Sequence, residues 1–273
     1  MGTPIGNLRD ITLRGLDVLK QVAVIAAEDT RVTAKLLQHY GIASKLTALH
    51  GHNEKRAAAP LLALLAQGKS VALVSDAGTP GISDPGARLI AAAHSAGYTV
   101  SPVPGASAPV AALSVSGVAA RHFLFYGFLP ARAVERRNEL AGLAAYPFAL
   151  VFFEAPHRII ESINDIAAML GVTRRVVIAR ELTKLFETVH ACALKEASSW
   201  LEKDEHRRKG EFVLVVEGAA PVAGRDEEAR HTLEILLTAL PLKQAVTLAT
   251  RITGAKRNRL YELALQLKSG RGN

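Results

Sequence analysis

The sequence predicts an α/β protein with two α/β domains, at residues 1–120 and 121–222, and a small helical domain at residues 223–273. Three observations support this fold class. Short apolar strand-like runs alternate with helical runs through the first half, as in a parallel sheet with right-handed crossovers. The strand-like runs of the second half are longer and partly adjacent, which favours a mixed sheet. After residue 222 only helical patterns follow.

Apolar spacing and helix-ending glycines define the elements of the first domain. Asp10 is the expected N-cap of a helix over residues 11–22. Gly41, Gly68 and Gly97 are expected to end helices. The other predicted elements are strands over residues 22–27, 70–74 and 98–103 and helices over residues 30–40, 54–66, 85–96 and 108–115.

An aromatic-rich stretch at residues 123–130 marks the change to the second domain. Its predicted strands cover residues 148–153, 175–179, 188–194 and 212–217, with helices over residues 156–170 and 194–202. Residues 218–226 have the Gly, Ala, Pro and charged composition of a linker. Predicted helices then cover residues 227–239, 242–250 and 256–267, and the last two are typical of a helix-turn-helix.

The most informative segment is the loop at residues 75–86, Ser-Asp-Ala-Gly-Thr-Pro-Gly-Ile-Ser-Asp-Pro-Gly. It joins a predicted strand to a predicted helix, at the corner where an open α/β sheet binds its ligands. Its glycines and prolines define the backbone angles and let a ligand approach the main chain. Asp76 and Asp84 place carboxylates at both ends, which indicates that the ligand is not an anion.

Five further segments follow predicted strands or lie at the domain junction, at residues 3–8, 27–31, 104–108, 152–158 and 179–184. Each segment also has a structural explanation that requires no ligand. Glycine and proline at strand ends often serve turns, Glu28-Asp29-Thr30 has the pattern of a helix N-cap, and Glu181 with Lys184 has that of a surface ion pair. Their convergence on one side of the sheets favours a binding site.

The charge is concentrated near the C-terminus. The net formal charge is +8, and residues 241–271 contain seven basic residues and one acidic residue. A basic helical domain on a nearly neutral body favours a polyanionic partner, and a solvated helical face is the alternative.

Several classes of protein are disfavoured. The sequence has no P-loop, no dinucleotide-binding glycine motif after a strand and no nucleophile elbow. His50 and His52 lack partners at metal-ligand spacing, so no metal site is predicted. The single cysteine, Cys192, excludes an intrachain disulfide and favours the cytoplasm. We expect no membrane span and no signal sequence.

Eight motifs occur in order along the chain, and together they carry a resemblance. They are Thr-Pro-Ile-Gly-Asn-Leu, Ala-Glu-Asp-Thr-Arg, His-Asn-Glu, the loop at residues 75–86, Pro-Gly-Ala-Ser-Ala, Gly-Phe-Leu-Pro, Phe-Glu-Ala-Pro-His-Arg and Ala-Arg-Glu-Leu-Thr-Lys. Over nearly its whole length the chain resembles the ribosomal RNA methyltransferases of the tetrapyrrole-methylase-like (class III) group. The resemblance implies two α/β domains with S-adenosyl-L-methionine in the cleft between them, usually in a homodimer. We expect residues 75–86 to hold this methyl donor and call them the donor loop. It also implies 2′-O-methylation of a cytidine in the decoding region of 16S rRNA, with the RNA or the small ribosomal subunit as partner.

On this resemblance, three sets of residues are assigned. The cofactor residues are Pro4, Gly6, Asp76, Ala77, Gly78, Ser83, Asp84, Ser107, Ala108, Phe153, Glu154 and Ala155. The catalytic residues are Glu28, Asp29, Arg31, Glu181 and Lys184, of which Asp29 or Glu181 accepts the proton while Lys184 or Arg31 stabilises negative charge. The RNA-binding residues are His157, Arg158, Lys256, Arg257 and Arg259.

The chain departs from the family pattern before Thr3. Family members have a strand there, inside the parallel sheet, where this sequence has Met1 and Gly2. We therefore expect a groove with unpaired backbone groups, unless another element fills it, and this puts cofactor contacts from residues 3–6 in question.

Two other functions remain open. A small-molecule, tetrapyrrole-like methyltransferase of the same fold predicts a neutral C-terminal domain. A non-catalytic RNA-binding module predicts that the methyl donor does not bind, since fold alone does not establish function.

Overall fold

The computed structural model describes residues 1–119, 121–220 and 223–269. The chain forms two compact units, Met1–Gly218 and Ala219–Asn273. Both predicted α/β domains fall in the first unit, apart from residues 219–222 of the second domain, and their boundary at residue 120 stays a prediction. Residues 221 and 222 at the next boundary, and Arg271 of the basic segment, lie outside the described residues.

The first unit alternates helices and strands as predicted. Its helices are α1 (Leu13–Gln21), α2 (Thr30–His39), α3 (Glu54–Ala66), α4 (Ala87–Ser95), α5 (Ala108–Ser116), α6 (Ala133–Leu143), α7 (Ile159–Leu170) and α8 (Leu194–Glu202). Its strands are β1 (Val24–Ala27), β2 (Leu46–Ala48), β3 (Val71–Val74), β4 (Phe123–Phe128), β5 (Ala149–Glu154), β6 (Arg175–Arg180), β7 (Thr188–Ala193) and β8 (Phe212–Val216).

The first sheet has the order β2-β1-β3, and all three strands are parallel, as predicted. Ile25 and Ala27 of β1 pack with Leu19 of α1 and Leu37 of α2 in one core cluster. The opposite face of β1 packs with α3 and α4. β2 was not predicted from the sequence, because its three residues are too few for a periodic pattern.

The second sheet has the order β4-β5-β8-β6-β7 and is mixed, as predicted. β4 and β5 are parallel, whereas β8 is antiparallel to both β5 and β6. Phe152, Ile163, Ile178 and Leu214 are buried in the core between this sheet and the helices that cover one face. Since β8 runs against its neighbours, its first residues lie at the same edge as the last residues of β5 and β6.

Two predictions about the first sheet and its helices were wrong. Asp10 does not cap α1. It ends a 3₁₀ turn at Leu8–Asp10, and the Thr12 hydroxyl accepts the N–H of Gly15 at 3.0 Å instead. Residues 98–103 do not form a strand, although their composition is strand-like, because no described strand pairs with them.

The expected groove lies beside β3. The Met1 ammonium donates to the Leu73 carbonyl and the Gly2 N–H to the Val103 carbonyl, both at 2.9 Å. Beyond these contacts an apolar groove of about 380 Å³ separates β3 from residues 99–104. The two N-terminal residues thus bridge only part of the gap between these segments.

The second unit contains three helices among its described residues, α9 (Ala223–Ala239), α10 (Leu242–Thr253) and α11 (Arg257–Ser269). Leu233, Val246 and Leu260 are buried at their centre. The linker predicted to reach residue 226 was too long, because α9 begins at Ala223. Gly254, with a φ of +68°, ends α10 and precedes α11, as in a helix-turn-helix. No helix in the described part of the chain is long and apolar enough to cross a membrane.

Candidate functional site

A cleft of about 380 Å³ opens at the edge where β3, β5 and β6 end and β8 begins. Nine of the twelve residues predicted to bind a cofactor line it: Ala77, Gly78, Ser83, Asp84, Ser107, Ala108, Phe153, Glu154 and Ala155. Pro4, Gly6 and Asp76 do not line it, although Ile5 and Ala77 beside them do. Five of the six predicted loop segments therefore contribute to the lining of this cleft, whereas residues 27–31 do not.

The structure adds lining residues that the sequence analysis missed. They include Ile5, Phe128, Leu182, Glu211 and Val213. The ring of Phe128 lies 5.4 Å from that of Phe153, centroid to centroid. Phe128 belongs to the aromatic-rich stretch, which was a usable signal. Glu211 and Val213 carried none, because only the antiparallel pairing of β8 brings them to this edge.

The first half of the donor loop is fixed by hydrogen bonds from two other segments. Thr3 and Gly78 exchange backbone hydrogen bonds of 2.8 and 3.2 Å. The N–H of Asp76 donates to Glu28 at 3.3 Å, and the Asp76 carboxylate accepts the N–H of Asp29 at 2.9 Å. Glu28 and Asp29 thus support the donor loop from the end of β1.

The second half of the donor loop is held by Glu54. This carboxylate is buried at the start of α3 and accepts the N–H groups of Gly86 at 3.0 Å and Arg88 at 2.8 Å. A negative charge at the N-terminus of α4 is electrostatically favourable. Within the loop, Ser83 has a φ of +66°, which is unusual for a residue with a side chain and is often found at functional sites.

Asp84 is the cleft carboxylate whose pKa is displaced upward. Burial raises its pKa to about 6, and the charges of Glu28 and Asp76 add to the effect. The hydrogen bond from Ser75 opposes the shift, because it favours the ionised form. Asp84 therefore changes charge close to neutral pH.

Glu154 contributes a second carboxylate to the cleft wall, and its side chain is fully buried. One oxygen accepts the N–H of Ala155 at 2.7 Å and pairs with Arg158. The other oxygen, Oε2, has no hydrogen-bond partner among the described residues. Buried carboxylate oxygens are rarely left without a partner, so Oε2 favours a ligand that donates a hydrogen bond. Arg158, assigned to RNA from the sequence, lies here against Glu154.

Glu181 and Lys184 form an ion-paired loop after β6. The Lys184 ammonium lies 2.8 Å from Glu181 and 2.7 Å from Glu211. Burial raises the pKa of Glu181, but hydrogen bonds from Lys184 and from the Glu211 backbone outweigh it, so this pKa lies below its usual value. Glu181 and Thr183 both have positive φ, at 51° and 66°. This backbone is costly and is held by the surrounding contacts.

The five residues predicted to be catalytic lie in two places. Glu28, Asp29 and Arg31 lie at the end of β1 beside Asp76, whereas Glu181 and Lys184 lie after β6, and none of the five lines the cleft itself. The exposed Arg31 side chain pairs with the partly buried Asp29 carboxylate at 2.6 Å and holds the pKa of Asp29 at about 2.

The predicted RNA-binding residues are exposed, apart from Arg158. His157 lies on a short turn next to an open depression that also contains Arg208 and Lys209. In the second unit, Lys256 immediately precedes α11 and Arg257 begins it, and both are exposed, as is Arg259 two residues after Arg257. These three follow the Gly254 turn at the position that a helix-turn-helix presents to nucleic acid.

Comparison with known proteins identifies two matching family models. Residues 1–198 match the tetrapyrrole (corrin/porphyrin) methylases, and residues 223–268 match the RsmI C-terminal HTH domain. These matches confirm the resemblance carried by the ordered motifs.

Similar proteins include two enzymes named ribosomal RNA small subunit methyltransferase I. That of Escherichia coli O157:H7 is 51% identical over 265 residues, 97% of this chain and 93% of the relative. That of Pseudomonas aeruginosa is 47% identical over 269 residues, 97% of this chain and 95% of the relative.

Solved structures support the fold class. The methyltransferase CobJ has a TM-score of 0.60 and 20% identity, over 80% of this chain and 92% of that one. The cobalt precorrin-4 methyltransferase CbiF has a TM-score of 0.58 and 18% identity, over 79% of this chain and 92% of that one. At this identity the likeness concerns the fold alone.

Proposed function

Because the chain belongs to the tetrapyrrole (corrin/porphyrin) methylase family, we propose that it methylates small-subunit ribosomal RNA with S-adenosyl-L-methionine as donor. The acceptor in this proposal is the ribose 2′-hydroxyl of a cytidine in the decoding region of 16S rRNA. The observation that carries the RNA substrate is the near full-length likeness to enzymes named ribosomal RNA small subunit methyltransferase I, which extends through the basic C-terminal helices.

The residues of the cleft fit such a donor. S-adenosyl-L-methionine supplies an activated methyl group on a positively charged sulfonium. Asp84 and the nearby Glu28 and Asp76 give the donor loop a negative potential that suits this charge. The unpartnered Glu154 Oε2 is a suitable acceptor for an amino or hydroxyl group of the adenosine part. Phe153 and Ala155, on either side of Glu154, supply apolar surface.

The remaining assignments follow the position of each residue. Backbone groups of Ala77, Gly78 and Ser83 hold the methionine part, and Ser107 and Ala108 pack against the same ligand. Pro4, Gly6 and Asp76 support the donor site from outside the cleft lining. Glu28, Asp29 and Arg31 shape the donor loop, and Lys184, paired with Glu181, supplies a positive charge near the acceptor. His157, Lys256, Arg257 and Arg259 contact RNA phosphates.

A decisive test uses purified protein, S-adenosyl-L-methionine with a labelled methyl group, and small ribosomal subunits from cells that lack this protein. We expect one methyl group per subunit, mapped to a cytidine 2′-oxygen by nuclease digestion and mass spectrometry. Calorimetry on the protein alone measures donor binding. Transfer to a base, to another nucleotide or to no site on the RNA contradicts the proposal, while absent donor binding favours a non-catalytic RNA-binding module.

The second candidate is a small-molecule methyltransferase, because similar folds occur in enzymes named for tetrapyrrole substrates. The basic second unit disfavours it. Uroporphyrinogen III offered as acceptor in the same assay separates the two, since methyl transfer to it rather than to RNA supports this alternative.

We further propose that the protein acts as a homodimer in the cytoplasm, where small ribosomal subunits are found. Sedimentation equilibrium measures the mass in solution, and a monomer at assay concentrations contradicts the dimer.

A further inference from the structure

We propose that Asp84 is the catalytic base that accepts the proton of the hydroxyl being methylated. This role rests on the proposed function and adds to it, because Asp84 was assigned from the sequence only to donor binding. Three carboxylates line the cleft, those of Asp84, Glu154 and Glu211, and they differ in the groups that each already contacts.

Glu154 and Glu211 are both paired with cations. Arg158 binds one oxygen of Glu154, and Lys184 lies 2.7 Å from Glu211, whose side chain is 76% exposed. Asp84 differs from both, because no cation pairs with it anywhere in the described chain, and its hydrogen-bond partner is the neutral Ser75 hydroxyl. A paired cation stabilises the ionised form of a carboxylate, so Asp84 is the one of the three whose basicity no ion pair reduces.

The electrostatic surroundings of Asp84 increase its basicity. Glu28 at the end of β1 and Asp76 at the start of the donor loop both repel a negative charge on Asp84. Arg31, a cation whose charge acts on Asp76, is paired with Asp29. A base works best when its pKa lies near the working pH, and a pKa of about 6 meets this condition.

The two bases assigned from the sequence lack this property. Arg31 lowers the pKa of Asp29 to about 2, so this carboxylate accepts protons poorly at neutral pH. The pKa of Glu181 is lowered as well, and its side chain is committed to Lys184 and the Glu211 N–H. Neither residue lines the cleft.

In the proposed step, the proton leaves the 2′-oxygen for a carboxylate oxygen of Asp84, and the 2′-oxygen forms a bond to the methyl carbon. The carbon–sulfur bond breaks, and its electron pair remains on sulfur as a neutral thioether. Asp84 then releases its proton to water, which a carboxylic acid with this pKa does readily at neutral pH.

The test compares wild type with Asp84→Asn, Ser75→Ala and the matched surface control Asp17→Asn, each checked for folding by thermal denaturation. Single-turnover methyl transfer to small subunits is measured at saturating S-adenosyl-L-methionine across pH. Calorimetry gives the donor Kd, and carboxyl-detected NMR of aspartate-labelled free enzyme gives the titration midpoint without turnover.

We expect the wild-type rate to rise through the titration midpoint of Asp84. At saturating donor, Asp84→Asn slows transfer by roughly 10²–10⁴-fold, the usual contribution of a general base. The variant still binds the donor, with a Kd raised by the loss of one negative charge. The substitution also removes one resonance that titrates near pH 6. Ser75→Ala removes a hydrogen bond that favours the ionised form of Asp84. The midpoint of the pH–rate profile and the NMR titration midpoint of Asp84 should therefore both move to higher pH. Asp17→Asn should change neither midpoint.

Three results overturn the role of Asp84: a wild-type rate in Asp84→Asn, loss of donor binding in that variant, or unmoved midpoints in Ser75→Ala. If Asp84→Asn does not fold, the measurements on Ser75→Ala still test the role of Asp84. If wild type transfers no methyl group to the RNA, the proposed function fails and this catalytic role fails with it. That outcome is distinct, because it appears in the wild-type arm.

Discussion

The buried carboxylate of Glu54 accepts the backbone N–H of Gly86 across 3.0 Å, and so links the start of α3 to the start of α4. Gly86 has a φ of +129°, and a Cβ atom there would lie 2.6 Å from the Leu73 side chain. The last residue of the donor loop is thus held by a hydrogen bond on one side and by the end of β3 on the other.

Glu54→Ala should weaken donor binding and destabilise the protein by about 1–3 kcal/mol, because buried N–H groups of α4 lose their acceptor. Glu54→Gln keeps an amide oxygen as acceptor and should recover much of both losses. Denaturant titration and donor calorimetry measure the two effects, with the exposed Glu202→Ala as control. A donor Kd unchanged in Glu54→Ala contradicts the assignment of Glu54 to loop positioning.

Gly6→Ala should disrupt the contact between residues 3–8 and the loop after β6. A Cβ at Gly6 would lie 2.5 Å from Lys184 Cγ and 2.8 Å from the Leu182 carbonyl oxygen, and the backbone oxygen cannot move cheaply. We expect a loss of about 1–3 kcal/mol in the free energy of unfolding, as for other overpacked sites.

The matched control for Gly6→Ala is Gly142→Ala in α6, where nothing lies within 4 Å of the added carbon. Alanine in a helix should stabilise there by up to ~1 kcal/mol. Equal effects of the two substitutions on urea denaturation contradict the steric explanation.

Replacing Lys256, Arg257 and Arg259 with glutamine should weaken RNA binding and reduce its dependence on salt. Each phosphate contact contributes about 0.7–0.9 to the slope of log K against log salt concentration, so three contacts remove roughly 2–3. Filter binding across a salt series measures this slope. Lys35, Lys55 and Lys69, which are exposed in the first unit, provide a charge-matched triple control. If the control flattens the slope as much, the second unit has no special role in binding RNA.

Asp165→Ala should cost about 3–5 kcal/mol in the free energy of unfolding, since it leaves a buried guanidinium without its partner. Arg136 is 1% exposed and lies 2.6 Å from Asp165, which also pairs with Arg137. Glu135→Ala, at the exposed pair with Arg132, is the control and should change stability little. Guanidinium denaturation at neutral pH measures both variants.

The ion pair between Arg136 and Asp165 also makes the stability of the protein depend on pH. Burial raises the pKa of Asp165, but hydrogen bonds from Arg137 and Arg136 outweigh it, so its pKa when folded lies below the unfolded value. The stabilisation is therefore present above about pH 4 and is lost as the pH falls through the folded pKa. Asp165→Asn should flatten the fall in stability below that pH. If the free energy of unfolding falls as steeply with decreasing pH in Asp165→Asn as in wild type, other carboxylates cause that fall.

Elements with strong local signals were predicted well. Helices α3 and α8 begin and end at the predicted residues, because apolar spacing and Gly68 are properties of the local sequence. Helix α6 was missed, since its charged run from Glu135 to Glu139 hides the buried Leu140. The competition between Asp10 and Thr12 for the N-cap of α1 was local as well, but the 3₁₀ turn before it decided the outcome.

The sequence by itself determined the fold class, the family and most of the lining of the cleft. Ordered loop motifs and alternating elements depend only on the order of residues along the chain, so they are visible without a structure. Tertiary structure decided what depends on a distant partner. Residues 98–103 have strand composition but form no strand without a paired neighbour. Glu211 reaches the cleft only through the antiparallel course of β8. The difference in basicity between Asp29 and Asp84 likewise comes from Arg31 beside the one and from burial of the other, since a carboxylate's pKa depends on its surroundings rather than on its position in the chain.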